Sequence, residues 1–181
     1  MKLGTAVLLL TSLVLVAAPA RAAEGPNDRE TDHLDAFDDG GPRTFGLLVN
    51  PAGVLFGVFG AEADFLLGDV AALSAEGDYY TLGGTTALGA TLGMPLFPQG
   101  IPFHGMVVHP MLSAARATGG GATAWLLGGG GTIGWEWTLR VGLTFRAGAG
   151  AMFSGPVSGD ASGLALAGVR PVADGALGWV F

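Results

Sequence analysis

From Leu139 to Phe153 every second residue is apolar. Leu139, Val141, Leu143, Phe145, Ala147, Ala149, Ala151 and Phe153 alternate with Arg140, Gly142, Thr144, Arg146, Gly148, Gly150 and Met152. A period of two puts these sets on opposite faces of a strand. A helix would send the two arginines to different faces and would be weakened by the three glycines. The bulk lies on the apolar face, and the polar face is small. A soluble sheet buries its bulky face and turns the polar one to water. The opposite assignment, with apolar bulk on lipid and small polar residues around a narrow lumen, is the pattern of a membrane-spanning barrel.

The pattern repeats along the chain. In Val58 to Leu66, Phe59, Ala61, Ala63 and Phe65 oppose Gly60, Glu62 and Asp64. In Val70 to Tyr80, Ala71, Leu73, Ala75 and Tyr79 oppose Ser74, Glu76 and Asp78. Thr86, Leu88, Ala90, Leu92 and Met94 alternate with Thr85, Ala87, Gly89, Thr91 and Gly93. Met106, Val108, Leu112 and Ala114 oppose Gly105, His109 and Ser113, with Pro110 removing one ladder donor. Trp125, Leu127, Ile133, Trp135 and Trp137 oppose Gly128, Gly130, Thr132, Gly134 and Glu136. Thr44 to Asn50 and Val172 to Phe181 bring the count to eight candidate strands. Turn signals separate them at Pro51-Ala52-Gly53, Gly68-Asp69, Gly83-Gly84, Pro98-Gln99-Gly100, Gly119-Gly120-Gly121, near Thr138, and from Ser154 to Asp160. The expected fold is all-β, an eight-stranded antiparallel up-and-down transmembrane β-barrel over residues 43–181. Closure satisfies the backbone groups that lipid cannot.

The chain opens with Lys2, an apolar stretch from Ala6 to Ala18 and the small-x-small site Ala20-Arg21-Ala22, which reads as a signal peptide over residues 1–22. That stretch is shorter than the roughly 20 residues a spanning helix needs. Residues 23–42 read as an acidic disordered periplasmic arm, since Glu24 to Pro42 holds seven acids and one arginine. Asp32, Asp35, Asp38 and Asp39 lack the spacing of a calcium loop, so the arm reads as a solvated tail; an adaptor arm that recruits a periplasmic partner is the alternative the sequence permits. Without the leader six arginines face fifteen acids, a formal charge of −9, which argues against nucleic acid. The absence of cysteine excludes disulfides, thiolate metal sites and thiol catalysis. His33, His104 and His109 are too scattered for a zinc site, and no cofactor is expected.

The terminal run Ala176-Leu177-Gly178-Trp179-Val180-Phe181 resembles the C-terminal signal of bacterial outer-membrane β-barrels. The stretch from Asn50 to Gly57, followed by Glu62, is similar to the opening hairpin of small eight-stranded outer-membrane barrels of the OmpA-like group. The resemblance covers roughly residues 43–181. It implies an outer-membrane protein in contact with lipid, whose Trp179 and Phe181 are read by the barrel assembly machinery. It also places Phe181 at the periplasmic side, with the turns at Gly68, Pro98 and Thr138. The turns at Gly83, Gly119 and Ser154 to Asp160 then face outward. No peptidoglycan-binding domain follows Phe181, so a cell-wall tether is not expected.

In this register Glu62, Asp64, Glu76, Asp78, Glu136, Arg140 and Arg146 point into the lumen. Arg146 and Glu76 lie on opposite strands at similar depth and are expected to pair. Unpaired charges are costly in a low-dielectric lumen, and eight strands leave space only for side chains, so a buried ion-pair cluster plugging the barrel is expected. The expected role is structural or tied to membrane integrity, without catalysis. The alternative is a narrow channel or small-ligand barrel. An enzyme is the sharper reading, because some eight-stranded outer-membrane barrels resemble lipid A acylases or deacylases. It would have to use His109 and Ser113, which share a face but sit about 13 Å apart along a strand, beyond direct hydrogen bonding.

Overall fold

A computed structural model describes residues 43–54, 57–161, 164 and 166–181. The stretches read as a signal peptide and an acidic arm, with His33, Asp32, Asp35, Asp38 and Asp39, lie outside the described residues. The eight strands are β1 (Phe45–Val49), β2 (Val58–Gly68), β3 (Ala71–Leu82), β4 (Thr85–Gly93), β5 (Gly105–Gly119), β6 (Ala122–Thr138), β7 (Leu143–Gly159) and β8 (Gly168–Val180). Each pairs antiparallel with its sequence neighbours, and β1 closes on β8, giving an up-and-down barrel. A single helical turn, α1 (Pro51–Val54), follows β1, and the Asn50 side chain caps it by accepting from Gly53 N at 2.6 Å.

The pairing register fixes the barrel's pitch. A row of partners starting at Trp137 runs through Phe145, Leu177, Val49, Ala61, Gly77, Ala90 and Ala114, and re-enters β6 at Leu127, ten residues from where it began. With eight strands, that shear corresponds to a tilt of about 40°. The stagger is even, so the inward face stays inward around the whole circuit. Bulk therefore faces out on every strand: Leu47, Phe65, Leu73, Leu88, Leu112, Ile133, Phe153 and Trp179 are all exposed.

The strands differ in length. β1 has five residues and β6 and β7 have seventeen each. Two hairpins close on Gly83-Gly84 and Gly120-Gly121 with positive φ at both central residues, the geometry of a type I′ turn. These and the β7–β8 connection form the distal end of the barrel. Phe45, Phe181 and the β6–β7 turn form the proximal end, where Phe181 N donates to Phe45 O at 2.7 Å.

Two expectations change. The strand read from Leu139 begins only at Leu143, because Leu139 to Gly142 form a tight turn. Gly142 sits there at φ 87° and donates to Leu139 O at 2.8 Å. Ser154 to Gly159, read as a turn, continues β7. Its partner β6 is equally long, and a register shift at Trp125/Leu126 accommodates Pro156 opposite Leu126. Pro110 does not interrupt β5. Its missing donor falls where β4 has ended, and its carbonyl still accepts from Met94 N at 3.0 Å.

Both ends of the lumen are filled by apolar side chains. At the proximal end the β4–β5 connection folds inward and lays Phe97 and Phe103, 1% and 0% exposed, against Ala72, Val107 and Val180. Their rings lie 5.7 Å apart. At the distal end Leu164 and Leu166 pack on Ala87, Ala117, Ala124 and Leu126.

Candidate functional site

Between these stoppers the lumen holds two polar clusters, and Arg146 organises the proximal one. Arg146 lies on the inward face of β7, buried at 4% exposure. Its Nη2 pairs with Glu62 Oε2, and its Nε lies 3.1 Å from Asp174 Oδ2. Its Nη1 sits 3.7 Å from Asp64 Oδ2 and 4.0 Å from Glu136 Oε2, ion pairs without a hydrogen bond. The four carboxylates come from β2, β6 and β8, so one guanidinium reaches both strands beside its own and β2 across the lumen.

From Asp174 the network continues around the wall. Thr132 Oγ1 donates to Asp174 Oδ2 at 3.2 Å, and His109 Nδ1 stands 3.9 Å from the same oxygen. His109 Nε2 is hydrogen-bonded to Ser74 Oγ at 2.9 Å, both residues being about 2% exposed. Gly93 makes that contact possible, because a Cβ there would collide with His109 Nε2 and Ser74 Oγ. Ser, His and Asp thus stand in the order of a nucleophile, base and orienter. The His–Asp gap is too wide for a hydrogen bond, however, and Asp174 is already committed to Arg146.

The distal cluster is built on β3, β4 and β8. Thr91 Oγ1 donates to Asp78 Oδ2 at 3.1 Å. Glu76 and Asp78 converge over Gly60, where a Cβ would strike an oxygen of each. Arg170 lies over the Tyr80 ring, 5.8 Å from its centroid, and its Nη2 is 3.5 Å from Met152 Sδ. Asp78, Tyr80, Thr91, Ser113, Ser154 and Arg170 line a cavity with room for about one water molecule.

The structure thus brings Glu62, Asp64, Glu136 and Arg146 together and sets Glu76 and Asp78 in the other cluster. Glu76 does not pair with Arg146, because Glu62 from the neighbouring strand reaches the guanidinium first. Arg140 is not in the lumen at all. It lies exposed in the β6–β7 turn, where Arg43 Nη2 donates to its carbonyl at 2.8 Å and to that of Leu139 at 3.0 Å. Trp179 and Phe181 are exposed on the outer wall at the proximal end. His109 and Ser113 are separate: Ser113 Oγ meets Met152 Sδ at 3.6 Å, while His109 binds Ser74. His104 lies on the β4–β5 connection. Sequence reading missed Asp174, Tyr80 and Arg170. Asp174 shares the parity of the inward Ala176, Gly178 and Val180, and the alternation carried two residues further would have placed it.

No family model, curated protein or solved structure matches the chain.

Proposed function

We propose that this chain is an integral β-barrel of a bacterial outer membrane with a structural, membrane-stabilising and non-catalytic role, its lumen plugged rather than open. The observation that carries the reading is the outer wall. Monomeric soluble proteins seldom expose contiguous apolar patches beyond a few hundred Å². Here the exposed set includes Leu88 at 69%, Ile133 at 64% and Leu92 at 60%, with Trp135, Trp137, Phe145 and Trp179 gathered near one end. Lipid is the solvent that such a wall fits, and rings at the edge of an apolar band fit the headgroup level. The alternating run from Ala176 to Phe181 supports recognition by the barrel assembly machinery, and on this reading the proximal end faces the periplasm. On this reading the acidic segment before residue 43 is a handle for a periplasmic partner.

The apolar stoppers and the ion-pair cluster support a sealed barrel over the channel reading, because side chains fill the lumen at both ends and the cavity beside Asp78 and Arg170 has room for about one water. The test is the outer-membrane fraction run on a gel with and without boiling, followed by planar-bilayer recording. A heat-dependent mobility shift with no conductance is the expected result. A soluble periplasmic protein, or steady open-channel current, sinks the reading.

A further inference from the structure

Five arginines fall among the described residues, and four have evident places. Arg146 and Arg170 are luminal, Arg43 caps the β6–β7 turn, and Arg140 sits in that turn. Arg116 is different. Its neighbours on β5 alternate, with Ala115 and Ala117 inward and Arg116 exposed on the outer wall. Its cross-strand partners are Leu88 on β4 and Trp125 on β6, both exposed and apolar. Among the described residues no carboxylate pairs with it, and the hydroxyls nearby are engaged elsewhere, Thr86 with Thr118 O and Thr118 with Thr123.

Its height is fixed by the register. Arg116 lies two residues beyond the partner row that re-enters β6 at Leu127, and three residues before Gly119 at the hairpin tip. Along the axis that is roughly 25–30 Å from Trp137, at the distal edge of the apolar band. A guanidinium on a long stem beside lipid extends toward the headgroups, and its planar fork matches two oxygens of a phosphate. Among the described residues Arg116 is thus a cation without a carboxylate partner on the outer wall, at the depth where, in a membrane, lipid phosphates are the abundant anions.

We infer that Arg116 anchors an anionic-lipid site on the outer wall, its guanidinium holding the headgroup phosphate of a lipid whose chains lie against β4 and β5. The inference rests on the membrane reading above. The probe is phosphatidylglycerol or phosphatidylcholine brominated in the acyl chains, each diluted into phosphatidylcholine vesicles carrying the protein. Trp125, left alone by replacing Trp135, Trp137 and Trp179 with Phe, reports quenching beside the site. An interfacial arginine is worth about a fivefold preference for anionic lipid. Brominated phosphatidylglycerol should quench Trp125 as if enriched about fivefold over brominated phosphatidylcholine, and Arg116→Gln should abolish the difference while Arg116→Lys retains part of it. Native mass spectrometry of the unmodified protein and Arg116→Gln, counting phosphatidylglycerol adducts, gives the same comparison without the tryptophan changes. Equal quenching by the two lipids, or enrichment that survives Arg116→Gln, overturns the inference and leaves the membrane reading standing. Protein that fails to float with the vesicles overturns both.

Discussion

Arg146 shows how one residue can govern the interior of a narrow barrel. Four carboxylates within reach of one guanidinium are tolerable only while it stays, since an unpaired buried charge costs several kcal/mol and a broken buried pair about 3–5 kcal/mol. Arg146→Met is therefore expected to lose at least about 3 kcal/mol of unfolding free energy, read by denaturant titration in vesicles. Adding Glu62→Gln and Asp174→Asn should recover part of that loss, because the substitutions share one network and do not add. A loss below about 1 kcal/mol for Arg146→Met would mean that water already screens the cluster. Gly93 is the quieter counterpart. The smallest side chain at that position meets the His109–Ser74 contact head-on, so Gly93→Ala is expected to cost about 1–3 kcal/mol as overpacking. In a Ser74→Ala/His109→Ala background, where both colliding side chains are gone, Gly93→Ala should cost nothing further. If Gly93→Ala costs as much there as in the unmodified protein, the clash is not the cause.

At the scale of elements, the inward-folded β4–β5 connection matters most. Phe103 holds φ at 59°, a left-handed backbone that a bulky residue rarely adopts, worth about 1–3 kcal/mol of strain. It is held there by Thr138 Oγ1, which donates to the Phe103 carbonyl at 2.5 Å, and by burial beside Phe97. Phe103→Ala is expected to destabilise by about 3–5 kcal/mol, less whatever strain the smaller residue relieves. The bilayer should nevertheless stay electrically silent, because the Arg146 cluster is a second seal. Current through Phe103→Ala would show that the aromatic stopper alone closes the barrel. Nothing in the sequence announces this element. Phe97 and Phe103 lie in a stretch rich in proline and glycine that reads as a surface turn, and only the closed barrel gives them an apolar cavity to fill. The strands were legible because alternation is a local signal, and the inward parity of Glu62, Asp64, Glu136 and Arg146 followed from it. Strand ends were not legible, since they depend on the neighbour. β7 runs on to Gly159 because β6 is there to pair with, and it starts late, leaving Arg140 outside, because Gly142 permits a turn that the alternation itself does not reveal. Partner choice was equally hidden. Depth along two strands pointed Arg146 at Glu76, whereas the stagger of the barrel brings Glu62 and Asp174 to it.

That stagger is also what sets the dimensions of the whole molecule. Ten residues of shear over eight strands tilt each strand about 40°, so each residue rises about 2.5 Å along the axis. The stretch of β6 from Trp137 to Leu127 then spans about 25 Å, the height of the apolar band in outer-membrane barrels and a few ångströms less than an average hydrocarbon core of about 30 Å. Two consequences follow from the same number. Polarised infrared spectra of oriented membranes should give a strand tilt near 40°, since a shear of eight would lower it to about 35° and a shear of twelve would raise it to about 46°. On the proposed membrane reading, spontaneous insertion from denaturant should be fastest in short-chain lipid and fall steadily as the acyl chains lengthen, because a thicker bilayer must thin by several ångströms around a wall that cannot stretch. A tilt outside about 37–43° would contradict the register itself. A correct tilt with insertion indifferent to chain length would leave the barrel standing but remove the apolar band as the feature that positions it in a membrane.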